Sequence, residues 1–86
     1  MRIQIPNPFD FSARKSFLPQ INNITDNVLI LDFDGVETID SAALGMLLMS
    51  RERAKKFKSK VSLINCNTKI KKILEVAQFH ILFKIT

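Results

Sequence analysis

Asp32, Asp34, Asp40 and Ser41 lie close together in the sequence, and every chemically suggestive side chain of the chain falls within residues 32–45. Asp32 and Asp34 flank Phe33 and are followed by Gly35, and Asp40-Ser41 stands directly before the apolar run 42–49. A carboxylate or hydroxyl in that position accepts a hydrogen bond from a first-turn backbone N–H, so from the residues alone Asp40 or Ser41 is an N-cap. A nucleophilic serine needs a base within reach. No His or Lys neighbours Ser41 in sequence, and the sole histidine, His80, lies near the far end as a strand-edge residue, so a hydrolase triad has no support. Cys66 is the single cysteine, which allows no internal disulfide and no C-x-x-C metal pair, and it reads as a buried small hydrophobe. No cofactor and no metal is expected on this chain.

The elements that position residues 32–45 follow from periodicity. Val28-Leu29-Ile30-Leu31-Asp32-Phe33 is a near-continuous apolar run of the kind found in strands buried on both faces, and Val61-Ser62-Leu63-Ile64 and residues 81–85 are shorter runs of the same kind. Between them, residues 41–57 place Ala43, Leu47, Ala54 and Phe57 on one stripe, and Ile70, Ile73, Leu74, Ala77 and Ile81 follow a second helical spacing. Strand, helix, strand, helix, strand is two consecutive crossover units with parallel neighbours, so the fold class is α/β. Before this core, residues 2–5 suit a short edge strand, and Ser12 is placed to cap a helix running to about Asn22, which Pro19 would interrupt. Residues 32–45 then fall at the C-terminal end of the central strand, where open α/β sheets meet ligands and partners.

Length and charge narrow the classes further. At 86 residues, 47% apolar and 24% charged, the chain forms one domain and excludes disordered, collagen-like, disulfide-scaffold and large multi-domain classes. No apolar stretch approaches the ~20 residues needed to span a bilayer, and no signal peptide is visible, so the expected location is cytoplasmic. The net charge of +5 hides an asymmetry: residues 1–50 carry −3, residues 51–72 carry +8 and residues 73–86 are neutral. Arg51, Arg53, Lys55, Lys56, Lys58 and Lys60 fit a solvated helix end opposing the macrodipole, and they lack the aromatic interleaving of a base-stacking surface, so no direct nucleic-acid partner is expected. Met46 and Met49 lie off the Ala43–Leu47–Ala54–Phe57 stripe and suit either core filling or an adaptable docking face, and an exposed Met46 would favour docking.

Two resemblances attach to these residues. Leu31-Asp32-Phe33-Asp34-Gly35-Val36 resembles the first motif of haloacid-dehalogenase-like phosphatases, which implies Asp32 as nucleophile and Asp34 as acid/base of a small Mg²⁺-dependent enzyme. The later acidic pair that such enzymes use for Mg²⁺ is missing: after Asp40 the only acids are Glu52 and Glu75, both in predicted helices. The longer match is Val36-x-x-Ile39-Asp40-Ser41-Ala42-Ala43-Leu44-Gly45-Met46-Leu47-Leu48, which resembles the D-S-[SA]-[GA]-L-G turn of the STAS domain in bacterial anti-sigma factor antagonists. Phe9-Asp10-Phe11-Ser12, Val61-Ser62-Leu63-Ile64-Asn65 and the segment from Leu74 through Phe79 to Phe83-Lys84-Ile85 extend that resemblance over most of the chain. Ala43 and Gln78 stand where the family commonly has Gly.

The STAS resemblance implies a small, mostly parallel β-sheet with packed α-helices in one domain over residues 1–86, shorter at its N-terminal hairpin and C-terminal helix than family members usually are. An uncovered last strand over 81–85 would then favour self-association or partner contact. The resemblance also implies a non-catalytic partner-switching protein. Ser41 is its phosphoacceptor, and the partner-binding surface is formed by Asp40, Ser41, Ala42, Leu44, Gly45 and Met46. The implied partners are an anti-sigma factor that is also a serine kinase, and a serine phosphatase, to which the ATP and the metal belong. A constitutive scaffold, as in STAS modules of transporter tails, is the alternative in which Ser41 only caps its helix.

Overall fold

The β-branched and leucine-rich runs pair into one four-stranded sheet in the computed structural model, which describes residues 1–24, 28–56 and 60–86. Its strands are β1 (Arg2–Gln4), β2 (Val28–Asp32), β3 (Lys60–Ile64) and β4 (Lys84–Ile85), in the order β1-β2-β3-β4 and all parallel. Helices α1 (Arg14–Ile21), α2 (Ser41–Lys56) and α3 (Thr68–Val76) supply the three crossovers. The sequence pointed to two of these units; the edge strand and the first helix add a third. Parallel neighbours in sequential order, joined by crossovers of one hand, place the helices against one face of the sheet.

The register shows which face that is. Ile3, Leu31, Leu63 and Ile85 are aligned across the four strands, and the first three are at most 1% exposed. Each such side chain contributes roughly 1.5–3 kcal/mol by leaving water. The alternate positions form the other face, where Arg2, Gln4, Val28, Lys60 and Lys84 are exposed and Ile30, Ser62 and Ile64 are half-buried. β2 is therefore covered by the helices on one face only, and on the other Val28 is exposed, Ile30 half-buried and Asp32 buried, which corrects the expectation of apolar burial on both. Its apolar content records propensity for a strand, and what covers each face depends on where the three helices go.

α2 buries Ala43, Leu47 and Ala54 of the stripe predicted from spacing, and also Met46, expected off that stripe, and Ser50, while Phe57 lies outside the described residues. α3 buries Ile70 and Leu74 and starts at Asn67, whose side chain accepts the Ile70 N–H at 2.8 Å. The first helix differs in detail from the expectation. Asp10, not Ser12, caps a single 3₁₀ turn (Phe11–Ala13) by accepting the Ser12 N–H at 2.9 Å, and α1 follows it. Pro19 sits inside α1, which ends two residues later, so its missing N–H costs the helix little length.

The predicted strand over 81–85 is shortened to Lys84–Ile85. α3 stops at Val76, Gln78 turns the chain with φ +62°, and a 3₁₀ turn (Phe79–Ile81) brings Phe79 and Phe83 into ring contact at 5.6 Å between centroids. Two buried phenylalanines outweigh the strand propensity of Ile81 and Leu82 here, and both of those are exposed. His80 accordingly lies exposed in that turn and not on a strand edge. Gln78 holds the left-handed conformation at the residue after the α3 C-cap, which costs an L side chain about 1 kcal/mol and costs Gly almost nothing. Gln78→Gly is expected to stabilise the fold by about 0.5–1 kcal/mol, a gain of about 2–8 °C in Tm. Thermal unfolding followed by circular dichroism checks it, and a lower Tm would contradict the assigned turn.

Candidate functional site

The segment between β2 and α2 is built as a series of local hydrogen-bonded turns. Phe33 to Val36 closes a turn in which the Val36 N–H donates to the Phe33 carbonyl at 3.0 Å, and Gly35 takes φ +80° at the position where a type II turn requires it. The chain then runs beside residues 7–11. Phe9 bridges to Ile39 and its N–H donates to the Thr38 carbonyl at 3.0 Å, while the Asn7 side chain accepts the Glu37 N–H at 3.0 Å. Two loops thus hold each other at the C-terminal end of the sheet.

Asp40 ends this segment and starts α2. Its Oδ1 accepts the Ala43 N–H at 2.9 Å, the geometry of an N-cap, and its Oδ2 accepts the Phe11 N–H at 3.3 Å from the neighbouring loop. Because Asp40 takes the capping role, Ser41 is the first residue of α2. It is exposed, and its hydroxyl makes no hydrogen bond among the described residues. The two readings left open by the sequence, Asp40 or Ser41 as cap, resolve to Asp40.

From Ser41, the outward face of α2 continues through Gly45, Leu48, Met49 and Glu52, at helical spacings of four, seven, eight and eleven. All five are exposed, Leu48 at 40% and Met49 at 52%. Nothing lies within 4 Å of where a Gly45 side chain would project, so this glycine leaves the surface beside Ser41 flat. Ala42 and Leu44 are half-buried at its borders. Met46, expected among the docking residues, is only 3% exposed. It shares the inward stripe with Ala43 and Ser50, and the accessible methionine is Met49. Sequence reasoning also passed over Leu48 and Phe11. A helical wheel drawn from Ser41 finds the first. Phe11, 62% exposed with the Arg14 guanidinium 4.8 Å over its ring, depended on a loop contact with no sequence signal.

Asp32 and Asp34 occupy a different place. Asp32 lies at the end of β2 on the face away from the helices, where Oδ1 accepts from the Asn65 side chain and the Asp34 N–H, both at 2.9 Å, and Oδ2 pairs with Arg2 at 2.5 Å. Asn65 and Arg2, with the Asp34 N–H, hold the Asp32 carboxyl down at about 2, from an ordinary 3.8, against the opposing effect of burial. Both carboxylate oxygens are committed to tying β1, β2 and the end of β3 together, a structural use of the motif that sequence alone compared to a nucleophile. Asp34 is exposed in its turn. Burial raises the Cys66 thiol to about 11, consistent with a packing role.

A carboxyl whose folded value is lowered stabilises the fold above its unfolded value and loses that contribution as pH falls. The Asp32 contribution is therefore complete above about pH 4 and disappears between about 4 and 2. Asp32→Asn is expected to be less stable than the parent at neutral pH and nearly equal to it at pH 2. Urea titrations across that interval check this. A constant difference between the two proteins would mean that the charge on Asp32 is not what Arg2 and Asn65 recognise.

A parallel α/β layer whose second crossover helix opens at Asp-Ser beside the sheet's C-terminal end defines a class of small domains, and comparison with known proteins gives its family. The STAS domain model matches residues 1–86. A STAS-domain containing protein of Pseudomonas aeruginosa is 38% identical, covering all of this chain and 87% of that protein. The chain belongs to the STAS-domain family. Among solved structures it is similar to a sulfate transporter family protein from Wolinella succinogenes (TM-score 0.85, 20% identity, 98% of this chain and 73% of that one). It is also similar to a putative anti-sigma factor antagonist from Thermotoga maritima (TM-score 0.82, 20% identity, 98% and 77%). A third is the anti-sigma factor antagonist SpoIIAA in its unphosphorylated form (TM-score 0.75, 16% identity, 99% and 76%). At these identities the structures share the fold. Among the described residues, no helix is long and apolar enough to cross a membrane.

Proposed function

We propose that this chain is an anti-sigma factor antagonist that switches partners through Ser41, without enzymatic activity of its own. The observation that carries the reading is the division of labour at the start of α2. Asp40 caps the helix, so the Ser41 hydroxyl stays exposed and unengaged among the described residues, at the head of an apolar strip formed by Gly45, Leu48 and Met49. In the unphosphorylated state that strip, with Asp40, Ala42 and Leu44 at its borders, docks on an anti-sigma factor that is also a serine kinase. Met46 supports the strip from beneath.

Phosphorylation of Ser41 adds about −1.5 to −2 charges at the edge of the docked surface. The N-terminus of α2 stabilises the phosphate locally, and Asp40 beside it adds to the negative field, so an apolar or acidic partner surface is expelled with no rearrangement of the sheet. A serine phosphatase resets the switch, and ATP and metal ions belong to these partners. The proposed setting is cytoplasmic, with neither nucleic acid nor membrane as a direct partner. The likeness to a sulfate transporter family protein favours a second reading, a constitutive scaffold in which the same strip binds one partner regardless of Ser41.

Baits carrying Ser41→Ala and Ser41→Glu, exposed to lysate of the native host, separate the two. A kinase-type anti-sigma factor retained by the alanine bait and weakened at least tenfold on the glutamate bait is the expected result, in line with a charge left unpaired in an interface. Equal retention of the same proteins by both baits would establish the scaffold.

A further inference from the structure

The basic residues that sequence reading assigned to a solvated helix end do not all lie on the helix. Arg51 and Lys55 come from the C-terminal half of α2, Lys60 is the first residue of β3 and Lys84 the first of β4, and together they rim an open cleft of about 570 Å³ at the N-terminal end of the sheet. A helix opposing its own macrodipole accounts for Arg51 and Lys55 and gives no reason for two strands to add lysines at the same place. Val28, 45% exposed, and Leu82, 37% exposed, give the cleft aliphatic walls. Among the described residues no carboxylate lines it. Glu52 stands 3.7 Å from Arg51 and 3.6 Å from Lys55 but lies outside the lining, leaving the Lys60 and Lys84 ammonium groups without an ion pair among the described residues.

We infer that this cleft is a second docking surface, which takes an acidic polypeptide segment of a partner protein, with aliphatic side chains against Val28 and Leu82 and carboxylates at the cationic rim. The cations are spread around the mouth and exposed or half-buried, unlike the converging, buried donors of a small-anion site. Among the described residues no aromatic side chain lines the cleft to stack on bases. Along α2, Ser41 and Lys55 are separated by roughly 20 Å at 1.5 Å per residue, so the acidic segment and a partner at the Ser41 strip can be held at once. The inference does not depend on phosphorylation.

A fluorescent peptide alternating Glu and Leu, titrated onto the intact chain, tests it. The parent protein is expected to bind the peptide, Lys60→Glu/Lys84→Glu to weaken binding at least tenfold, and Lys69→Glu/Lys72→Glu on α3, an identical change in net charge, to alter it by less than about twofold. Ser41→Glu is also expected to stay within about twofold, which keeps this outcome separate from that of the proposed switch. Equal weakening by both lysine pairs, or no binding of the peptide, would overturn the inference. So would tighter binding of a short DNA duplex or of phosphatidylserine vesicles. Should the Lys60/Lys84 variant fail to fold, amide shifts of the parent protein decide. Peptide-induced shifts at Val28, Lys60, Ser62 and Lys84 support the cleft, and shifts confined elsewhere reject it.

Discussion

Phe9→Ala is expected to remove about 3–5 kcal/mol of stability, a large share of what a domain this small possesses. Phe9 is fully buried, and its ring meets Phe17 edge-on at 5.3 Å between centroids and Phe33 at 5.9 Å. These contacts join the loop before α1, α1 itself and the residue that follows β2. Truncation leaves a void lined by two rings that are fixed to different elements and cannot both collapse into it. The backbone of Phe9 also contacts Thr38 and Ile39, so the damage reaches the segment that presents Asp40 and Ser41. Urea denaturation at neutral pH should show a folded baseline that is short or absent, whereas Phe9→Leu should retain a cooperative transition. A loss below about 1 kcal/mol for Phe9→Ala would mean that the three rings do not form the centre of the core.

The second large effect is expected at Asp40. Asp40→Ala removes the cap on the Ala43 N–H and the longer bond to the Phe11 N–H, and should cost about 1–2 kcal/mol. Asp40→Asn preserves the acceptor geometry and should cost less than about half of that. Chemical denaturation of the pair separates hydrogen bonding from charge. If alanine and asparagine cost the same amount, the carboxylate charge near the α2 N-terminus, and not the cap, is what matters at this position. The same comparison reports on the freedom of Ser41, because a serine called on to replace a lost cap has its hydroxyl directed into the first turn.

The start of α2 was readable because capping is local: Asp40-Ser41 before a run of helix formers has one conformation available, and the inward stripe followed from spacing. Which of the two residues caps has no local signal, since either side chain satisfies the same N–H. β2 was legible as a strand, yet its apolar run gave no sign that Val28 and Ile30 face away from the helices. Coverage of a sheet face is a property of the crossovers and not of the strand. The segment 81–85 failed for a different reason. Its residues favour extended backbone, but the left-handed turn at Gln78 and the Phe79–Phe83 contact fix the chain before propensity can act. Asp32 shows the same limit at the site. A carboxylate two residues from another looks reactive in sequence, and its commitment to Arg2 and Asn65 arises from strand register and from a residue 33 positions away.

The lysines at 60 and 84 were visible as charges and invisible as neighbours. Only the pairing of β3 with β4 brings them together beside α2, and that pairing rests on two residues of the last strand. Long-range parallel pairing has no local signature, which is why the Asp40-Ser41 turn is legible in the sequence and the basic cleft emerges only from the fold.

The most direct test of the proposed switch is phosphoryl transfer to this chain. The anti-sigma factor retained by the Ser41→Ala bait, purified and supplied with ATP and Mg²⁺, is mixed with the parent chain, and the product is mapped by mass spectrometry while the complex is followed by size-exclusion chromatography. The expected result is a single phosphoryl group on Ser41, none on the Ser41→Ala variant, and loss of the complex in step with modification. A phosphoryl group on another residue, or a complex that persists after Ser41 is fully modified, would contradict the switch.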